Sequence, residues 1–119
     1  MRDILFRGKT KDGKWVEGDF VRIKDGDIVT PYIYYHGEVI EKTVGQFTGL
    51  TDKNGKKIFE GDIVKYDNGL FEVAYYPPHM AYYFHGLHGR GGVNGFTRKS
   101  NDIEVIGNIY DNPELLEVE

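Results

Sequence analysis

Ile63-Val64-Lys65-Tyr66-Asp67-Asn68-Gly69-Leu70-Phe71-Glu72-Val73-Ala74-Tyr75-Tyr76 decides the fold class. Two runs of β-branched and aromatic residues flank Asp-Asn-Gly, and Asn-Gly supplies the positive φ that a tight hairpin turn demands. Along the second run Phe71, Val73 and Tyr75 alternate with Glu72 and Ala74, the period of a strand with one buried face. The segment reads as an antiparallel hairpin with Phe71, Val73 and Tyr75 toward the core. Pro77-Pro78 ends its second strand, because neither proline can donate to a ladder.

The same punctuation recurs upstream, at Lys11-Asp12-Gly13, Lys24-Asp25-Gly26, His36-Gly37 and Lys53-Asn54-Gly55. The first of these turns are spaced as in a meander of short strands. Between them, Val16 and Phe20 fall on one pleat face and Glu17 and Asp19 on the other. Ile28 to Tyr35 is β-favouring, but Pro31 places an edge, a bulge or a break within it. Val39-Ile40 and Thr43-Val44 continue the pattern. Downstream, Asp52 to Gly55 form a charged turn, Ile58 and Phe59 re-enter the core, and Glu60-Gly61-Asp62 turns into a buried Ile63-Val64. Residues 77–102 are the least regular. Ile103-Glu104-Val105-Ile106 is a last strand, and Asn112-Pro113 opens one short helical turn through Leu116. The expectation is an all-β, β-dominated single domain over 1–119: a meander of short antiparallel strands, partly barrel- or SH3-like.

A chain of 119 residues with 39% hydrophobic content supports one core without staples. The absence of cysteine removes disulfides, thiolate metal sites and cysteine nucleophiles together. Charges run through the opening residues, and no apolar stretch approaches the ~20 residues that span a bilayer. A soluble, cytoplasmic protein is expected. A net charge of −4 lacks the footprint of a nonspecific nucleic-acid binder. Nine tyrosines point toward strands and recognition surfaces.

Three segments carry a resemblance to a known family: Arg2-Asp3-Ile4-Leu5-Phe6-Arg7, the stretch from Gln46-Phe47-Thr48-Gly49 through Gly61-Asp62-Ile63-Val64, and the stretch from Glu104-Val105-Ile106-Gly107 through Pro113-Glu114-Leu115-Leu116. On these the chain resembles the YopX family of phage and prophage proteins, from end to end. Residues 10–45 and 70–102 depart most from the pattern. The resemblance implies a β-rich fold, a phage-derived context and homo-oligomers, and it brings no catalytic residues with it.

Several constellations invite chemistry. His79, His85 and His88 lie close in sequence, and neutral imidazoles ligate zinc, nickel or copper. They lack paired strand or helix spacing, so a polar loop is the favoured reading and no cofactor is expected. The glycine-rich segment 86–95 around Arg90 resembles an anion nest without the Walker spacing that would define one. Tyr82, Tyr83, Phe84 and Phe96 beside Arg90, Arg98 and Lys99 combine stacking surfaces with charge, as single-stranded nucleic-acid sites do. The carboxylate pairs Glu17/Asp19 and Glu60/Asp62 read as solvated faces or turn caps. Ser100 sits in no nucleophile elbow.

Tyr32, Tyr34, Tyr35, Tyr75 and Tyr76 either line the core or form an oligomer interface, where tyrosine is enriched. The expected function is therefore an accessory protein that acts by binding, through self-assembly or a host or phage protein. Single-stranded nucleic acid is the alternative ligand, and a metal-dependent enzyme the least favoured class.

Overall fold

The computed structural model describes residues 4–66, 68–77, 81–88 and 102–116, which form eleven strands, β1 to β11, and a C-terminal 3-10 turn. The chain divides into two compact units, Met1–Phe47 and Thr48–Glu119. All strand pairings described are antiparallel. No helix among the described residues is long and apolar enough to cross a membrane.

The first unit opens with β1 (Phe6–Lys9) and β2 (Trp15–Gly18), joined by a turn in which Thr10 N–H donates to Lys14 O at 2.9 Å. The Thr10 hydroxyl also bonds the Asp12 carboxylate. The other side of β1 pairs with the start of β6 (Ile40–Thr51), with a register shift between Arg7 and Lys9. A second sheet runs β3 (Phe20–Asp25), β4 (Ile28–Ile33), β5 (Gly37–Glu38). Gly26, at φ 62°, makes the β3–β4 turn. Val16, Ile33 and Val39 are buried together, with Phe6, Phe20 and Val44 packed against them. The Arg7 guanidinium lies 4.7 Å from the Trp15 ring centre, within cation–π range.

Pro31 sits in the central strand of that sheet, a position proline normally avoids. Its carbonyl accepts from Val39 N–H at 3.1 Å, so its backbone polar side faces away from β3. The β5 register covers only Tyr32 and Ile33, so no ladder bond needs the missing donor.

In the second unit the remainder of β6 runs beside β7 (Lys57–Phe59), with the Thr48 hydroxyl donating to Ile58 O at 2.8 Å. The main sheet has the order β10-β9-β8-β11: β8 is Asp62–Tyr66, β9 Gly69–Tyr76, β10 Ala81–Gly86 and β11 Glu104–Asn108. The deciding hairpin forms as read, with Tyr66 opposite Gly69 and Val64 opposite Phe71, and with Asn68 at φ 62°. Ile58, Val64, Phe71, Val73, Phe84 and Ile103 make the core, with Leu50, Tyr66 and Val105 against it. The 3-10 turn, Pro113–Leu116, follows Asn112, whose carbonyl accepts from Leu115 N–H.

Two expectations need correction. Residues 81–86, read as part of the irregular segment, are strand β10, paired with β9 from Ala81–Tyr76 to Gly86–Phe71. Two prolines just before it obscured an inward alternation of Tyr82, Phe84 and Gly86. Tyr75, read as core-facing, is 41% exposed. It lies on the same face as Phe71 and Val73 but beyond the end of the core, where its ring meets Tyr82 edge-on at 5.4 Å.

Candidate binding surfaces

The β3–β4 register sets Val21 beside Tyr32, Ile23 beside Thr30 and Asp25 beside Ile28, and cross-strand partners share a face. Val21, Ile23 and Ile28 are 36%, 53% and 67% exposed, so the first unit carries a sheet face of apolar residues in water. The other face of the hairpin holds Phe20, Arg22 and Lys24. There Arg22 Nε donates to Glu41 Oε1 at 2.7 Å and its guanidinium lies over Phe20.

At the corner after β4 stand Tyr34 and Tyr35, 53% and 89% exposed, with ring centres 4.2 Å apart. Tyr35 has φ 69°, a conformation that bulky L-residues rarely adopt. Of the tyrosines read as interface residues, Tyr32 is half-buried on β4, Tyr34 and Tyr35 stand out from the surface, and Tyr75 is exposed. Tyr76 pairs with Ala81 through the backbone.

Of the proposed nucleic-acid cluster, Tyr82, Tyr83 and Phe84 lie among the described residues, and these three do not share one exposed face. Phe84 is fully buried in the second core, against Phe71 and Tyr66, and offers no face for stacking. The alternation of β10 dictates this, since Phe84 lies opposite Val73 on the inward face. Tyr82 and Tyr83 are half-buried and point to opposite faces of β10. Arg90, Phe96, Arg98 and Lys99 lie outside the described residues, as do His79 and residues 89–95 of the glycine-rich segment.

His85 is exposed; its Nδ1 is 3.3 Å from the Tyr83 hydroxyl, and it stands across from Glu72 in the β9–β10 register. Burial pushes the Glu72 carboxyl above its ordinary range; the nearby His85 opposes that shift and Glu60 adds to it. His88 Nε2 is 2.8 Å from Leu115 O, an alternative to metal ligation for that nitrogen. Among the described residues no three metal-ligating side chains come together. Glu17 and Asp19 are exposed, whereas Asp62 is buried and caps a turn by accepting from Phe59 N–H at 2.8 Å.

Sequence reasoning missed two features of the second unit. The first is Asp52, 5% exposed, whose Oδ1 accepts from Asn54 and Lys56 N–H and whose Oδ2 accepts from Val105 N–H. Burial by itself would raise its pKa, but the bonds from Val105, Lys56 and Asn54, with the Lys56 charge, outweigh it and hold the carboxyl below its ordinary range. Its place in an Asp-x-Asn-Gly turn signals the two local bonds; the third comes from a strand 53 residues away. The second is an open cleft of about 500 Å³ lined by Lys53, Lys65, Tyr66, Asn68, Asp102 and Glu104. Its charges compensate one another, Lys53 pairing with Glu104 at 3.5 Å and Lys65 standing opposite Glu104 in the β8–β11 register.

The class defined by this architecture is a small all-β protein of antiparallel sheets. A family model described as YopX protein matches residues 5–117, and the chain belongs to that family. The fold is similar to the crystal structure of protein EF1440 from Enterococcus faecalis, with a TM-score of 0.61 and 25% identity over 98% of this chain and 100% of that one. No curated protein matches the chain.

Proposed function

We propose that this is a non-catalytic binding protein of phage-derived genomes, acting in the host cytoplasm, which self-associates through the exposed sheet face and tyrosine corner of its first unit. The observation that carries this reading is Tyr35. A bulky side chain held at φ 69° strains the backbone by roughly 1 kcal/mol or more. A ring 89% exposed returns almost none of that through burial in its own chain. Such a residue has a use in contact with another molecule, and exposed tyrosines beside apolar side chains are the typical anchors of protein interfaces. Tyr34 stands beside it, with ring centres 4.2 Å apart, and the same unit also exposes Val21, Ile23 and Ile28.

Light scattering coupled to size exclusion, with and without nuclease and with the ratio of absorbance at 260 to 280 nm, tests the reading. The expected result is a nucleic-acid-free oligomer that Tyr35→Gly converts to monomer. A monomeric wild-type chain carrying nuclease-sensitive absorbance would favour the single-stranded nucleic-acid reading instead. An oligomer that survives Tyr35→Gly would remove Tyr35 from the interface.

A further inference from the structure

β3 is the outer strand of the β3-β4-β5 sheet, and among the described residues no strand pairs with its other side. The hydrogen bonds of β4 determine which backbone groups point there. Pro31 and Ile33 direct their carbonyls away from β3, to Val39 N–H at 3.1 Å and His36 N–H at 2.9 Å. In an antiparallel ladder, residues opposite one another alternate between pairs that exchange both bonds and pairs that exchange none. Arg22, opposite Pro31, and Phe20, opposite Ile33, therefore turn their N–H and C=O outward, and so does Lys24 two residues on.

The devices that usually blunt an edge are a bulge, a proline, a very short strand or charge. The β3–β4 register runs unbroken from Phe20 to Asp25, and β3 contains no proline. Among the described residues, charge alone guards it.

We propose that this edge accepts an extended peptide segment of alternating acidic and apolar side chains, supplied by a protein other than a second copy of this chain. Strand addition draws affinity from main-chain hydrogen bonds and specificity from alternate side chains. On one face of the added strand, acidic side chains would meet Lys24 first, which has no ion pair among the described residues, and beside it Arg22, whose Nε already bonds Glu41 at 2.7 Å. On the other face, apolar side chains would stand beside Val21 and Ile23 and extend the apolar face without covering it. A second copy of β3 is a poor occupant. Two-fold antiparallel pairing that overlaps most of the strand sets Arg22 opposite Lys24 or opposite itself, and like charges directly opposite are destabilising. The same cations that repel a copy attract an acidic strand. The proposal concerns the edge, not the apolar face, and stands whether or not the chain self-associates.

The test is fluorescence anisotropy of the full chain with a labelled Glu-Val-Glu-Val-Glu-Val-Glu peptide and its charge-reversed Lys-Val counterpart. Saturable binding of the acidic peptide alone is expected, weakened about tenfold by Lys24→Glu, the scale of one lost charge-assisted contact. Lys24→Pro removes an outward N–H while leaving every bond to β4, so it too weakens binding at an unchanged melting temperature. If Lys24→Pro melts early, Lys24→Gln keeps the backbone and isolates the charge. No saturable binding of the acidic peptide, equal binding of both peptides, or wild-type affinity in Lys24→Glu would each overturn the proposal.

Discussion

Replacing Asp52 with alanine withdraws the acceptor of three backbone N–H groups at once. The three are not equivalent. Asn54 and Lys56 belong to an exposed turn, where water replaces the lost oxygen, and each bond is then worth the usual net ~0.5–1.5 kcal/mol. Val105 is on β11, held across from Val64, and its N–H bonds a carboxylate that is 5% exposed. Losing that partner costs roughly 1.5–3 kcal/mol, the range for hydrogen bonds to charged groups. Because contributions in one network do not add, a loss of about 3 kcal/mol is expected.

Asp52→Asn keeps an acceptor oxygen but loses the charge and one oxygen, so about half that loss is expected. Denaturant unfolding followed by far-UV circular dichroism gives the stability, and amide hydrogen exchange at Val105 reports the local bond. A change below about 0.5 kcal/mol in Asp52→Ala, with Val105 exchange unaltered, would refute the assignment of Asp52 as a hub. The pH dependence has a definite sign. The folded-state pKa lies below the unfolded one, so the stabilisation is present above the ordinary carboxylate range and is lost as pH falls through the lowered value.

Glu72 has the opposite sign, since burial raises its folded-state pKa. Its ionisation opposes folding as pH rises past the unfolded value, so Glu72→Gln raises the melting temperature at pH 7 and leaves it unchanged near pH 3, as calorimetry at the two pH values would show. In the first unit, a Cβ on Gly8 would stand 3.0 Å from Val39 Cβ. Gly8→Ala therefore destabilises by roughly 1–3 kcal/mol through overpacking, and a double-mutant cycle with Val39→Ala recovers part of that loss; strict additivity would show that the two do not touch.

Local signals were legible where they sat on neighbouring residues. Asn68-Gly69 set the register of the central hairpin, the alternation of Phe71 and Val73 put them in the core, and Asn112-Pro113 marked the last turn. The surfaces were less legible. Tyr34 and Tyr35 were among five tyrosines with equal claims as interface residues, and nothing in their neighbours said which would be covered. Phe84 looked like a stacking residue because its basic neighbours in sequence suggested a ligand, whereas its strand partner Val73 took it into the core.

The division follows from range. Turn chemistry and period-two alternation act over a few residues, so composition and order alone determined an all-β chain with these hairpins. Which side of a strand is covered, which edge is left open and which carboxylate is tied to a distant strand depend on pairings between segments far apart in sequence. Tertiary structure decided that β3 is an outer strand with no partner on its other side among the described residues, that Pro31 is tolerated in a central strand because its polar side faces past β5, and that Asp52 reaches Val105. Burial and long-range hydrogen bonds are properties of the assembled sheets, and no single segment carries them.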